Sequence, residues 1–144
     1  MGKMLGQKVI AAMKHARPVR SKSVVSRTAP LKFLLRANMT PSLRKIMTER
    51  GCRDYVHTEV QAIHFGDLAL VSAPGELFAE IATRVRDQSP VKNTIVVEHA
   101  NDSVSYIFTD AAALEGAYEV CRGSISENME RPYRTAALKA LSRK

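Results

Sequence analysis

The sequence predicts an α/β or α+β domain in which helices flank a mixed β-sheet, and three observations support this class. Residues 56–65 alternate between apolar and polar side chains, and a Gly-Asp turn joins them to a short apolar run, as in a β-hairpin. Residues 3–16 and 76–88 carry apolar side chains at helical spacing. The composition, with 45% hydrophobic and 25% charged residues in a chain of 144, is that of a folded domain.

The amino-terminal part of the chain predicts a helix followed by a strand. The helix covers residues 3–16, and Pro18 ends it because proline cannot continue a helix. Residues 22–36 are rich in Val, Leu and Phe and predict a strand that Pro30 breaks. The apolar face of the helix consists of Met4, Leu5, Val9, Ile10 and Met13.

A second helix and the hairpin come next. Thr40 as a cap and Pro41 at the first helical position are typical of a helix start, and this helix runs to Gly51. The hairpin joins residues 56–65 to a short buried strand at 67–73. One face of its first strand carries Val56, Thr58, Val60, Ala62 and His64.

The second half of the chain predicts a further strand with helices on either side. Residues 76–88 form an amphipathic helix that Pro90 stops, and residues 94–100 form a buried strand. Residues 110–120 form a short helix or a loop. Residues 127–142 form a last helix with a proline near its start.

Positive charge is concentrated at the amino-terminal end. The net charge is +8, yet residues 1–48 contain 11 Lys or Arg and no acid. This asymmetry is typical of a chain that binds nucleic acid or a membrane surface, and residues 1–27 also have the composition of a transit peptide. We favour a solvated basic face, or one that lies against something acidic, because no nucleic-acid-binding motif accompanies the charge. No apolar run is long enough for a secretory signal or a transmembrane helix, and the compartment stays open.

Common catalytic and metal-binding patterns are absent from the sequence. It contains no GxGxxG, P-loop, GxSxG or paired CxxC pattern. We interpret the two cysteines, Cys52 and Cys121, as two free thiols rather than as one disulfide bond. None of the four histidines lies at metal-ligand spacing from another: His15, His57, His64 and His99.

Polar side chains follow two buried strands of the predicted sheet. Glu76 comes directly after the strand at 67–73, and Tyr106 follows the strand at 94–100 after an Asn-Asp pair. A right-handed crossover makes these strands parallel neighbours, so both side chains open at the same edge of the sheet. A carboxylate and a phenol at that edge are oxygen ligands for a hard or borderline metal. The simpler alternatives are that Glu76 only complements a helix dipole and that Tyr106 only packs.

Several short motifs recur together at fixed offsets. Gly-Asp precedes a strand and Pro-Gly-Glu follows it, Asn and Tyr follow the next strand, and a Tyr-Glu pair begins 12 residues beyond that tyrosine. With this pattern, residues 56–120 resemble the latter part of the catalytic domain of the neutral/alkaline non-lysosomal ceramidases. The resemblance implies a zinc-dependent amidohydrolase of sphingolipid metabolism, which cleaves the amide of ceramide into a sphingoid base and a fatty acid.

The resemblance also implies roles for three residues. Glu76 and Tyr106 match two zinc ligands, and Tyr118 matches a tyrosine that hydrogen-bonds the scissile amide oxygen. In the family, two histidines from the amino-terminal part of the catalytic domain complete the zinc site. We therefore expect residues 1–144 to be a single partial domain that resembles the carboxyl-terminal third of that catalytic domain. Its partners would be a lipid amide substrate and the missing amino-terminal half.

The sequence also departs from the family's pattern, and a second function stays open. His99 stands where the family has a small or apolar residue, so we assign it no ligand role, and Ser105 replaces the glycine before the tyrosine. Ile-Phe-Thr at 107–109 replaces Ile-Pro-Thr. The alternative is a non-enzymatic basic module that binds nucleic acid or anionic lipid through residues 1–48. The Glu76 and Tyr106 pattern favours the enzyme, because such a module has no need of it.

Overall fold

A mixed sheet with helices against one face forms the main body of the protein, in a computed structural model that describes residues 1–116, 118–126 and 128–142. The strands are β1 (Val24–Leu34), β2 (Tyr55–Phe65), β3 (Leu68–Ser72), β4 (Glu76–Leu77), β5 (Asn93–Val97) and β6 (Tyr106–Ile107). The helices are α1 (Gly2–Met13), α2 (Pro41–Glu49), α3 (Ala79–Gln88), α4 (Asp110–Glu115), α5 (Tyr118–Arg122) and α6 (Glu130–Leu141). The predicted fold class is confirmed.

The main sheet has the strand order β1-β2-β3-β5. Strands β1, β2 and β3 are antiparallel neighbours, and β3 and β5 run parallel, with α3 in the crossover between them. The hairpin of β2 and β3 closes at the pair Phe65 and Leu68. Gly66 in its two-residue turn has a φ of +62°, a conformation that hairpin turns need and glycine adopts at little cost. Both the hairpin and the parallel crossover are confirmed.

The hydrophobic core lies between one face of the main sheet and helices α3 and α6. Val56, Val60 and Ala62 of β2 are buried at alternate positions, as the sequence pattern predicts. Tyr133 of α6 is fully buried, and its hydroxyl donates a hydrogen bond to the Ser72 carbonyl at 3.2 Å. This contact ties the last helix to the end of β3, from which the chain continues to β4.

The predicted break at Pro30 is wrong. β1 runs without interruption from Val24 to Leu34, and Pro30 pairs with Glu59 of β2. β1 is an edge strand, so alternate residues of β1 face solvent with their backbone N–H. A proline at such a position removes no hydrogen bond between strands. Pro30, which would break a central strand, is therefore tolerated in β1.

The prediction of a buried strand at 94–100 is only partly right. β5 spans Asn93–Val97, and of its residues only Thr94 is buried. β5 forms the other edge of the main sheet, and α3 covers one of its faces. Its second face leaves Ile95 and Val97 exposed to solvent.

The predicted helices at both ends of the chain are present with shifted bounds. α1 ends at Met13, so Pro18 is not what stops it, and each of its residues is exposed. Within the predicted stretch, residues 110–115 form helix α4, which Gly116 ends at a φ of +68°, and residues 118–120 belong to helix α5. The last helix begins at Glu130, whereas the predicted first residue, Glu127, lies outside the described residues.

Candidate functional site

The two short strands that follow the crossover place Glu76 beside Tyr106. β4 and β6 pair in parallel, with Glu76 opposite Tyr106 and Leu77 opposite Ile107. The Glu76 N–H donates to the Ser105 carbonyl at 3.0 Å and anchors this pairing. Neighbouring strands lie about 4.8 Å apart, so the two side chains start from adjacent backbone positions. The predicted proximity of Glu76 and Tyr106 is confirmed, whereas their roles stay predictions.

Close backbone packing explains the Pro-Gly turn that precedes Glu76. The Val104 N–H donates to the Pro74 carbonyl at 2.7 Å. A Cβ atom on Gly75 would overlap the Ser105 carbonyl oxygen, so only glycine fits this approach. Ser105 itself has a φ of 88° in the left-handed region. Glycine adopts this backbone conformation at little cost, whereas a serine is strained there.

The predicted helix at 76–88 begins later than expected. α3 starts at Ala79, after Phe78 in extended conformation, so Glu76 belongs to β4 and not to the first turn of a helix. The Phe78 N–H instead donates to the Ile107 carbonyl at 3.0 Å. A helix dipole therefore does not explain a carboxylate at position 76. The Glu76 side chain lies on the surface, where a ligand can reach it.

The phenol of Tyr106 interacts with the Glu76 carboxylate. Tyr106 is half-buried, and its phenol lies near the Glu76 carboxylate on the paired strand. Partial burial raises the pKa of the Tyr106 phenol, and the nearby Glu76 carboxylate raises the pKa further. Tyr118 and the carboxylate of Glu119 act on the pKa in the same direction. This cluster of oxygen atoms would stabilise a bound positive charge.

Tyr118 completes the cluster from α5. Its ring centroid lies 6.3 Å from that of Tyr106, with the ring planes at 76°, which is an edge-to-face contact. The Arg122 guanidinium lies 5.7 Å from the centroid of the Tyr118 ring. Tyr118 remains 64% exposed, so a ligand can contact it. The structure thus brings together all three residues that the resemblance singled out.

A strained loop at 99–105 borders the site, and residues far away in the sequence hold it. His99 and Asn101 have φ values of 50° and 70°. Arg50 forms an ion pair with Asp102 at 2.5 Å, and it also donates to the Ser103 carbonyl at 3.0 Å. Strained backbone of this kind persists only where neighbouring contacts hold it in place.

Two of these anchoring residues carry no signal in the sequence. Arg50 lies just beyond α2 and reaches Asp102 across 52 positions of the chain, and Gln61 on β2 accepts a hydrogen bond from Asn101 at 3.1 Å. No spacing pattern relates such distant positions. Only the register of the sheet and the position of α2 reveal them.

The side chains at this site offer fewer oxygen donors than a complete zinc site needs. The Glu76 carboxylate and the Tyr106 phenol are two adjacent oxygen donors, whereas zinc usually takes four ligands, most often from His and Cys. Within the described part of the chain, no group of three or more His, Cys, Asp or Glu side chains could hold a metal ion. His99 donates its backbone N–H to the Gly75 carbonyl at 3.2 Å, and its ring Nδ1 lies 3.5 Å from the Ser103 hydroxyl.

Solved ceramidase structures share this fold. A ceramidase complexed with C2 has a TM-score of 0.59 at 11% sequence identity, with 83% of this chain and 30% of the ceramidase chain covered. The neutral ceramidase from Pseudomonas aeruginosa has a TM-score of 0.54 at 14% identity, with 81% and 28% covered. The chain therefore spans less than a third of the length of these ceramidases. No family model and no curated protein matches the chain. The neutral ceramidase-like fold expected from the sequence is confirmed.

Proposed function

We propose that this chain is a fragment of a zinc-dependent, ceramidase-like amidohydrolase that hydrolyses the N-acyl amide bond of ceramide or a related lipid amide. The observation that carries the proposal is the pairing of Glu76 with Tyr106 on two adjacent short strands, beside the Tyr118 ring. A packing role alone does not require a surface carboxylate opposite a phenol. The likeness in fold to two ceramidase structures supports the same assignment.

In this proposal the chain supplies half of the metal site. Glu76 and Tyr106 would be two of the zinc ligands, and two histidines from the missing amino-terminal half would supply the others. Bound zinc polarises a carbonyl group and lowers the pKa of its water to about 7. Tyr118, at the exposed rim, donates a hydrogen bond to the oxygen of the scissile amide as negative charge develops there.

A metal titration of the chain tests the half-site. We expect Zn²⁺, in the presence of free imidazole to replace the missing ligands, to shift the NMR signals of β4 and β6 at millimolar concentrations. The Glu76→Gln and Tyr106→Phe variants should lose this response. The matched control is Glu80→Gln, an exposed carboxylate on α3, which should keep it. A response that survives Glu76→Gln would place the metal elsewhere and contradict the half-site.

An amidase assay tests the reaction itself. The 144-residue chain should release no fatty acid from a labelled N-acyl sphingoid base, because two ligands do not make a catalytic zinc site. Supplying the amino-terminal half of the catalytic domain in trans should produce zinc-dependent release, which Glu76→Gln abolishes. Robust turnover by the chain alone would contradict the fragment assignment. Zinc-dependent turnover that Glu76→Gln leaves unchanged would contradict the ligand role.

A further inference from the structure

The amino-terminal helix exposes an apolar face. The exposed fractions of its large apolar side chains are 66% for Met4, 66% for Leu5, 50% for Val9, 63% for Ile10 and 69% for Met13. A Cβ atom placed on its two glycines would meet nothing within 4 Å. A helix of 12 residues gains most of its stability in water from packing an apolar face. We therefore expect α1 to pack its apolar face against another surface.

Positive charge surrounds this apolar face. Residues 1–23 contain six Lys or Arg and no acid, and each of these residues is exposed. At 3.6 residues per turn, Leu5, Val9 and Met13 line one side of α1, and Lys3 and Lys14 project about 120–140° away from Val9. The segment after the helix adds further cations at Arg17, Arg20 and Lys22.

We propose that residues 1–23 bind the surface of an anionic lipid bilayer. α1 is about 18 Å long at 1.5 Å per residue, and none of the described helices is long and apolar enough to cross a membrane. A basic amphipathic helix of this kind lies in the interface, with its apolar side chains at the acyl boundary and its cations at the headgroups. Apolar burial and attraction to anionic lipid are two independent contributions, and stable membrane anchoring generally takes two signals.

The combination of charge with an apolar face favours a bilayer over nucleic acid. Phosphate contacts would use the lysines and arginines but would leave Leu5, Val9, Ile10 and Met13 in water. The structure also narrows the basic region that the sequence suggested, because residues 24–34 form strand β1 of the main sheet. The proposed surface is therefore residues 1–23, not the whole acid-free stretch. It does not depend on the metal site or on the proposed enzymatic function.

A single introduced tryptophan gives a direct test, because the chain contains no tryptophan of its own. We expect Val9→Trp in the full chain to show blue-shifted emission on vesicles of phosphatidylcholine with about 30% phosphatidylglycerol, and little shift on phosphatidylcholine alone. The matched control is Leu114→Trp on α4, where Leu114 is 91% exposed. Its emission should not change on either vesicle.

Charge variants test the electrostatic contribution. Replacing Lys3, Lys8 and Lys14 together by Gln should weaken binding in vesicle sedimentation by roughly 10²-fold, at about fivefold per cation. Added salt should weaken the binding of the parent chain in the same direction.

Four outcomes would overturn the proposal. A concentration-dependent blue shift of Val9→Trp without lipid would show that a second copy covers the face. An equal response from Leu114→Trp would indicate non-specific adsorption. Sedimentation with anionic vesicles without a Val9→Trp shift would indicate attraction by charge alone. Binding to duplex DNA but not to vesicles would assign the cations to nucleic acid.

Discussion

Gly75 is the residue on which the shape of the candidate site depends most directly. The backbone of the strained loop passes so close to Gly75 that a side chain there would overlap the Ser105 carbonyl oxygen. This approach allows the Glu76 N–H to bond Ser105 and sets the register of β4 against β6. One missing Cβ atom therefore positions the carboxylate next to the phenol.

The Gly75→Ala variant should destabilise the protein. The added methyl group would force the two backbone segments apart, and overpacking of this kind costs about 1–3 kcal/mol. Urea denaturation monitored by circular dichroism measures the free energy of unfolding. Gly6→Ala is the matched control, because its Cβ would meet nothing within 4 Å. Equal effects of the two substitutions would refute the close approach.

The Ser105→Gly variant should have the opposite effect. Ser105 has a φ of 88°, and left-handed backbone costs a residue with a side chain about 1–3 kcal/mol. Glycine removes this strain but loses about 0.5–1 kcal/mol through its larger unfolded-state entropy. We expect a net gain near 1 kcal/mol in the same denaturation experiment. Ser105→Ala keeps the Cβ atom and should bring no gain, so stabilisation by alanine would argue against backbone strain as the cause.

At the scale of elements, the loop at 99–105 depends on α2 and β2 for its support. Burial opposes ionisation of Asp102, but the Ser103 N–H, the nearby Thr58 hydroxyl and the Arg50 guanidinium together outweigh this effect. The pKa of Asp102 is therefore below its ordinary value. The ionised form therefore stabilises the fold. That contribution is fully present above the unfolded pKa of about 3.9 and is lost as the pH falls through the lower folded pKa.

The Asp102→Asn variant should expose this pH dependence. Its free energy of unfolding should be about 0.5–1 kcal/mol lower than that of the parent chain at neutral pH, because the ion pair is only partly buried. Below about pH 4 the difference should shrink. Thermal denaturation at a series of pH values measures it, with Asp87→Asn on the exposed side of α3 as the control. A difference that stays constant down to pH 2 would show that the carboxylate charge contributes nothing.

Local patterns predicted the long elements well and the short ones poorly. The alternation in β2 and the Thr-Pro start of α2 are local signals, and the Thr40 hydroxyl accepts from the Leu43 N–H at 3.4 Å as a cap should. β4 and β6 have two residues each, and they form only because two segments far apart in the sequence pair in space. Periodicity cannot detect strands of that length. The sequence pattern therefore predicts Glu76 at the start of a helix, whereas the structure places it in β4, just after β3.

At the scale of the whole molecule, the set of motifs indicates a candidate site that no single spacing rule would reveal. Glu76, Tyr106 and Tyr118 come from three different elements, and they meet only because the crossover aligns β3 with β5. The contacts of Arg50 and Gln61 could not be anticipated, because they depend on where whole elements pack. Local sequence rules describe neighbours along the chain, whereas a site of this kind consists of neighbours in space.

Under the proposed function, the Tyr118→Phe variant should separate catalysis from metal binding once the amino-terminal half is supplied. Phenylalanine keeps the edge-to-face contact with Tyr106 but removes the hydroxyl. We expect unchanged zinc content and a kcat lower by about 10²–10³, the usual cost of one lost donor to a developing oxyanion. Metal analysis and fatty-acid release measured on the same sample provide both values. Unchanged turnover would remove the proposed role of Tyr118 and leave the metal assignment standing.

The two edges of the main sheet differ in how they would receive a strand from another molecule. Along β1, Pro30 interrupts the row of backbone donors, and Lys32 adds an exposed charge. Along β5, Asn93–Val97 contains no proline and exposes Ile95 and Val97. Edge-to-edge association is therefore favoured at β5 and opposed at β1. A sheet that pairs readily along one edge only would stop at two molecules, so the proline in β1 opposes open-ended stacking of sheets edge to edge.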